Sequence, residues 1–428
     1  MKEILIKLKN DPRVKNSLWM FIEKAISLFG LIFILSAVAK YTGPSIYGEI
    51  SLAASIFVVV KAIAQLGMDQ IYYKYVSEQK PYYDIFFNNS LRVISIIYAL
   101  IFFLILIFAY LYSNNMSFYF ILATGIAYYF NSIDVVNYYF EAKLISKINV
   151  MANICGLTVS LFFRYFVVYF DLNVLYLCAP IVLMTVIPFY IKYHVYKKNY
   201  ACKSRTSSNK KTLKYAGIFM ATGIPITLSV LTVTLNSQVA YYLLAYFWEV
   251  KKVAIYSVAF TLSGAWCIVP TTIIMSYLAG IYNDNVYSNY LVQAKKLFKI
   301  VFYVSTFIVL FLFISSEYII QYLYGDDYSE SVKVFKILLI YQMLWVVGFY
   351  FSRLIIKFNG YRFLAYKAVI MVLLNFILAA YLIKNNGAIG AAYAALILEL
   401  ISVLVINLFY RKASLTSVLL FFRKGNEL

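Results

Sequence analysis

Charge is scarce in this chain of 428 residues. Asp, Glu, Lys and Arg together make up 13% of it, where soluble domains average about 25%. Acid is the scarcer sign: 18 Asp and Glu stand against 38 Lys and Arg, for a formal net charge of +20. The sequence has 1 histidine, His194, which argues against histidine-based zinc chemistry and against a buried acyltransferase histidine. Its 4 cysteines form no framework: Cys155, Cys178 and Cys267 sit in apolar runs and Cys202 in a basic segment, so neither disulfides nor a metal site is indicated. No GxxxxGK[ST] phosphate loop occurs, so the chain carries no such ATPase site of its own. The longest expected outer loop, near 317–333, is shorter than the extracytoplasmic site that a membrane glycosyltransferase or polymerase normally needs, which leaves an enzyme poorly supported.

What fills the chain instead is hydrophobic sequence, 63% of all residues, with a mean hydropathy of +0.79. It comes in blocks of about twenty residues, the length that crosses a hydrocarbon core as a helix. About twelve such blocks are expected by this criterion, near 17–39, 46–66, 91–112, 117–137, 150–170, 174–191, 213–246, 253–278, 297–316, 334–356, 363–383 and 388–410. The seventh is too long for one straight span and holds Gly223 and Pro225, so a kink or a strong tilt is expected there. The first imitates a signal peptide, with an A-x-A site at Ala37–Ala39. Its apolar stretch is too long for one and contains Glu23 and Lys24, so it reads as an uncleaved span.

The positive charge follows the membrane rather than a nucleic acid. With the N-terminus in the cytoplasm, most Lys and Arg fall in cytoplasmic tails, loops and helix ends, while the outer loops hold only Lys40, Lys251, Lys252, Lys333 and Lys384. The segment 192–214 is densely basic and free of acid. It divides the chain into an N-terminal six-helix lobe, 1–191, the basic cytoplasmic linker 192–214, and a C-terminal six-helix lobe, 215–428. Both termini are then cytoplasmic. Lobes of six spans enter from the same face and permit a parallel repeat. A faint match of "GEISLAASI" (48–56) with "AIYSVAFTL" (254–262) supports it.

Several spans carry polar residues at helical spacing. Asn153, Gly156, Ser160 and Arg164 form one stripe. Thr124, Ala127, Asn131, Asp134 and Tyr138 form a second, and Asn16, Glu23, Ser27 and Gly30 a third. Lys367 with Asn375, and Glu399 with Ser402, share faces in the last two spans. Such stripes imply a polar interior, either a packed seam or a water-filled lumen. Arginine at mid-span costs about 2.5–3.5 kcal/mol to insert. Arg164 therefore faces a lumen, snorkels outward, or pairs with an acid such as Asp134. For Lys61 and Lys367, near a cytoplasmic end, snorkelling is the alternative.

"AKYTGPSIYGEISLAASI" resembles the Tyr-x-Gly-Pro-x-x-(aromatic)-Gly turn between the first two spans of bacterial O-antigen flippases, the Wzx-type polysaccharide exporters of the MOP (MATE-like) superfamily. The pattern falls here on Tyr41, Gly43, Pro44, Tyr47 and Gly48. "LGMD" (66–69), "VAIYSVAFTLSGAWCIVPTTIIMS", "YLYGDDYSES" and "NNGAIGAAYAALILEL" (385–400) resemble further segments of that family. Where members often carry an Asp, this chain has Asn236 and Gln238. The resemblance implies an all-α polytopic membrane protein, its two lobes arranged as a V, in the bacterial inner (cytoplasmic) membrane. It implies a transporter, not an enzyme, that flips undecaprenyl-pyrophosphate-linked O-antigen repeat units by alternating access. Lys24, Lys61 and Lys367 are then expected at a basic cytoplasmic mouth and Arg164 at a deeper station. Glu23, Asp134 and Glu399 are candidates for coupling to protons or sodium. No cofactor is expected. The expected partners are the lipid-linked oligosaccharide, membrane lipids and other polysaccharide assembly proteins, with no nucleic acid. The alternatives are a MATE-like multidrug exporter and, behind it, a membrane-embedded polymerase or acyltransferase.

Overall fold

Inside hydrocarbon every backbone N–H and C=O must be bonded within the protein, and a helix does this within one segment. The computed structural model, which describes residues 12–79, 83–200, 209–283 and 287–410, is accordingly helical, with no strand among the described residues. The chain packs as two compact units, Met1–Thr234 and Leu235–Leu428. Of the expected basic linker, residues 201–208 lie outside the described residues.

Among the described residues 10 helices are long and apolar enough to cross a membrane. The expected twelve spans map onto these ten because two pairs run together. Helix α1, Pro12–Gln65, has 54 residues, about 81 Å at 1.5 Å per residue and more than twice a bilayer core. It is interrupted at Gly43, with φ 71° and ψ 170°, a region open essentially to glycine alone. Pro44 follows and restarts the helix from its own first turn, where a missing N–H costs nothing. The last long helix, Tyr361–Leu400, is likewise broken at Gly387, with φ 55° and ψ −133°. Both breaks fall in the gaps that the hydropathy leaves between blocks.

In the first unit, α1 is followed by α2 (Met68–Ser77), α3 (Tyr83–Tyr112), α4 (Asn115–Ile133), α5 (Val136–Ala142), α6 (Lys147–Tyr169) and α7 (Cys178–Asn199). Helix α1 packs on α4 and α6, and α7 lies against both of those. The α6–α7 seam is close because Gly156 has no side chain: a Cβ there would lie 2.4 Å from the Pro188 ring. An aromatic core built on Phe57, Tyr72, Tyr98 and Phe140 closes one side, and the Tyr98 hydroxyl donates to the Gly125 carbonyl at 2.7 Å. Ile96, Leu100, Phe103, Leu104 and Phe108 of α3 are exposed, as suits a lipid-facing surface. Helix α8, Asn209–Phe247, runs through Gly223 as one element of 39 residues, about 59 Å long and so too long for one upright span.

The second unit contains α9 (Val250–Gly264), α10 (Ile268–Asn283), α11 (Tyr287–Ile314), the short α12 (Ser316–Tyr324), α13 (Ser331–Lys357) and α14 (Tyr361–Leu400). Helix α13 is its centre, packed on α9 and α14 and burying Phe335, Tyr350 and Phe351. Trp248 covers the break at Gly387 and donates its indole N–H to the Ile383 carbonyl at 2.7 Å. Beside it Lys252 pairs with Glu330 at 2.7 Å. A π turn, Ile401–Val405, follows α14 directly and begins two residues after Glu399.

Candidate functional site

Two helix breaks meet inside the first unit. Helix α1 stops at Gln65, and Leu66 and Gly67 take left-handed conformations, φ 46° and 64°, before α2 begins. Helix α4 stops at Ile133. Asp134 then adopts φ −75° and ψ 55°, and the Val135 amide donates to the Ile133 carbonyl at 2.7 Å, an inverse γ-turn. Breaking a helix frees carbonyls that need donors, and Gln65 of the first break supplies one, its Nε2 donating to the Ser132 carbonyl at 3.1 Å. Broken helices are how membrane proteins bring polar backbone and charged side chains to a buried cavity.

Such a cavity lies here, with a volume of about 330 Å³. Its polar lining is Glu23, Ser27, Lys61, Asn131, Asp134, Asn137, Tyr138, Asn153, Thr185 and Lys192, closed on one side by Leu157, Met184 and Pro188. The charged groups are linked. Lys192 is buried, forms an ion pair with Asp134 Oδ2, and donates to Asn153 Oδ1 at 3.2 Å. Asn153 Nδ2 in turn donates to Glu23 Oε1 at 2.6 Å. Lys61 donates to Asn131 Oδ1 at 2.7 Å. Asp134 Oδ1 is buried without a hydrogen-bond partner. Two lysines thus face two carboxylates, which keeps the lining near neutrality at a place where a lone charge would be costly.

Three of the charged candidates from the sequence meet here, Glu23, Lys61 and Asp134, with Ser27, Asn131, Tyr138 and Asn153 from the polar stripes. Their stripes explain why. Glu23 and Ser27 line the cavity from α1, while Gly30 meets Leu161 of α6 and Asn16 accepts from the Ser146 amide. The Asn131–Asp134–Tyr138 stripe is not one helix face, because the break at Asp134 puts Tyr138 on α5; all three still reach the cavity. The Asn153 stripe divides: Asn153 lines the cavity, Gly156 meets Pro188, and Ser160 donates to the Pro180 carbonyl at 2.9 Å.

Others go elsewhere. Lys24 is exposed and does not line the cavity. Arg164, on the same helix as Asn153 but about 16 Å further along, is buried beside Tyr47, and its Nε has no partner. The expected alternative of an Arg164–Asp134 salt bridge is not formed, since Asp134 is taken by Lys192. Lys367 and Glu399 belong to the second unit. Lys367 donates to Asn407 Oδ1 at 2.8 Å and lies in electrostatic range of Glu399, whose carboxylate rests against Gly348. Asn236 is paired with Asn375, which donates to its Oδ1 at 2.7 Å.

Lys192 is the charged cavity residue that sequence reasoning missed, along with the polar Asn137 and Thr185. Counted with the basic segment 192–214, it is instead a buried residue of α7. Its spacing carried the signal: Lys192, Pro188 and Met184 share one helix face at steps of four, and all three line the cavity.

The family profile described as "Polysaccharide biosynthesis protein" matches residues 37–333. Among solved structures the fold is similar to that of the lipid II flippase MurJ in an inward closed conformation, at TM-score 0.70 and 18% identity, covering 97% of this chain and 94% of that one. It is also similar to an inward-facing multidrug resistance MATE family transporter of the MOP superfamily, at TM-score 0.60 and 14% identity, covering 93% and 95%. An outward-facing structure of a MATE family transporter matches at TM-score 0.55 and 15% identity, covering 94% and 96%. No curated protein matches this chain.

Proposed function

We propose that this chain, which belongs to the polysaccharide biosynthesis protein family, moves a diphosphate-linked oligosaccharide lipid across the bacterial cytoplasmic membrane. The observation that carries the reading is the polar cavity of the first unit, where Lys61 and Lys192 stand among amides, a phenol and two carboxylates. An anionic diphosphate entering hydrocarbon loses its hydration, and ammonium groups beside amides replace what water gave. A disubstituted diphosphate carries two negative charges, and two lysines line the cavity. The hydroxyl and amides of Tyr138, Asn131 and Asn137 offer hydrogen bonds of the kind that sugar hydroxyls make.

In this reading the substrate is an undecaprenyl-pyrophosphate-linked O-antigen or related repeat unit, flipped from the cytoplasmic to the periplasmic leaflet by alternating access. The termini lie in the cytoplasm, as the positive-inside pattern has it. An ion gradient, of protons or sodium, drives the cycle through Glu23, Asp134 or Glu399. Lys24 and Lys367 belong to the cytoplasmic mouth, and Arg164 to a later contact along the path. The work is transport, not bond chemistry.

The test is flipping of a fluorescent polyprenyl-diphosphate oligosaccharide in proteoliposomes containing the purified protein. Lys61→Ala and Lys192→Ala should each reduce the rate at least tenfold while the protein still inserts. Wild-type rates in both variants, or a protein that moves cationic dyes and leaves the diphosphate lipid where it is, would favour the multidrug-exporter reading, for which Glu23 and Asp134 supply the acid.

A further inference from the structure

We propose that Asp134 is an internal stand-in for the substrate's diphosphate: it holds Lys192 while the cavity is empty and gives it up when the diphosphate arrives. The inference rests on the reading of the cavity as a diphosphate site and adds how that site is regulated.

Four observations carry it. Asp134 acts on both cavity lysines: its Oδ2 is paired with Lys192, and it is also in electrostatic range of Lys61. Lys61 and Lys192 repel one another, so an anion near both stabilises the state in which both are charged. The carboxylate fills that need in the empty cavity, and an arriving diphosphate, with more charge and more acceptor oxygens, fills it better. Second, the carboxylate is only half engaged, because Oδ1 is buried with no hydrogen-bond partner. A purely structural buried ion pair is expected to have its remaining lone pairs satisfied. Third, Asp134 is the central residue of the inverse γ-turn between α4 and α5. Its side chain hangs from the break between two helices, so a change of its rotamer need not move either helix. Fourth, Lys192 keeps a second acceptor, Asn153 Oδ1 at 3.2 Å, which steadies the ammonium during the exchange.

The consequence is a built-in limit on affinity. A cavity with two free lysines would hold a diphosphate tightly and release it slowly. With Asp134 competing for Lys192, each binding event is weakened by the loss of one ion pair and each release is assisted by its return. Moderated affinity of this kind lets a transporter pass a ligand on rather than keep it.

The experiment uses the full-length protein in lipid nanodiscs and calorimetric binding of farnesyl diphosphate, with farnesol as the control that lacks the diphosphate. Asp134→Asn keeps the side chain's size and one carbonyl acceptor and removes the charge. It should bind farnesyl diphosphate about tenfold more tightly than wild type, with farnesol binding unchanged, and should flip the oligosaccharide lipid more slowly. In a Lys192→Gln background the same substitution should give no gain, since there is nothing left to compete for. Asp134→Ser serves where the Asn variant accumulates poorly. A wild-type protein that binds farnesyl diphosphate over farnesol, with Asp134 variants that bind it equally or more weakly, overturns the stand-in and leaves the diphosphate cavity standing. A structural ion pair predicts that outcome, together with a lower unfolding temperature. No diphosphate-dependent binding in wild type or in any variant overturns the cavity reading, and the stand-in with it.

Discussion

Asn153 Nδ2 donates to Glu23 Oε1 at 2.6 Å, 130 residues apart in sequence, and so ties α6 to α1 across the cavity. The same amide accepts from Lys192 through Oδ1. One side chain therefore joins an acid to a base, and neither charge faces the cavity alone. Asn153→Leu removes both bonds at once. Each buried group left unsatisfied costs about 1–3 kcal/mol. The variant should unfold at a lower temperature in detergent and flip the lipid poorly, by more than the fall in folded protein accounts for. Unchanged thermal stability would mean that water takes the place of the amide.

Two glycines in the first unit should fail for different reasons when replaced. At Gly156 the backbone conformation is helical, and a Cβ would sit 2.4 Å from the Pro188 ring. Gly156→Ala should push α6 from α7 and cost about 1–3 kcal/mol as overpacking. At Gly43 nothing lies within 4 Å of an added Cβ, but φ is +71°. Gly43→Ala should cost a similar 1–3 kcal/mol through backbone strain alone. A second-site change of Pro188 to Ala should rescue Gly156→Ala and leave Gly43→Ala untouched. Thermal unfolding of the three variants reads this directly.

The two halves of that comparison also show what the sequence made legible. The break at Gly43 was readable because Gly-Pro punctuates two apolar blocks, and each block has the length of a bilayer. The inward face of Glu23 and Ser27 was readable because the helical period is local. What is not local was lost. Nothing near Lys192 in sequence says that it meets Asp134, 58 residues away, and a lysine at the edge of a basic segment reads as a topology signal. The break at Asp134 was hidden too, since no glycine or proline marks it. The pairing of Lys192 with Asp134 also explains why the sequence offered Asp134 to Arg164: it shows which acids lie in spans, not which base reaches them first.

In the second unit Glu399 rests on Gly348, close enough that a Cβ at 348 would lie 2.6 Å from its Oε1. The π turn beginning at Ile401 follows at once, a feature that often marks a functional position in a helix. Glu399→Gln keeps the shape and removes the charge that Lys367 feels. Export driven by an ion gradient should slow severalfold at unchanged abundance. Gly348→Ala, which crowds the carboxylate without altering its charge, should show the same direction with a smaller effect. Gradient-driven export at the wild-type rate in Glu399→Gln removes this residue from the coupling candidates and leaves Glu23 and Asp134.

Arg164 gives the sharpest separation of stability from activity. It is buried at 8% exposure, and among the described residues no carboxylate pairs with it. Removing one member of a buried ion pair destabilises because the other charge is stranded. Here no acid is stranded, so Arg164→Met should do the opposite, replacing a buried cation that has no carboxylate partner by an apolar chain of similar length and raising the unfolding temperature. If Arg164 serves the diphosphate on its way outward, the same variant should lose surface polymer while accumulating at or above the wild-type level. Arg164→Lys should recover part of that loss, since it keeps the charge without the planar fork of donors. Asp134→Asn should not rescue Arg164→Met, because the two residues are not partners. Unfolding temperature and surface polymer, measured together, decide the matter: a stabilised variant with full export would mean that the cation has no part in transport, and a destabilised one would mean that its burial is matched by structure after all.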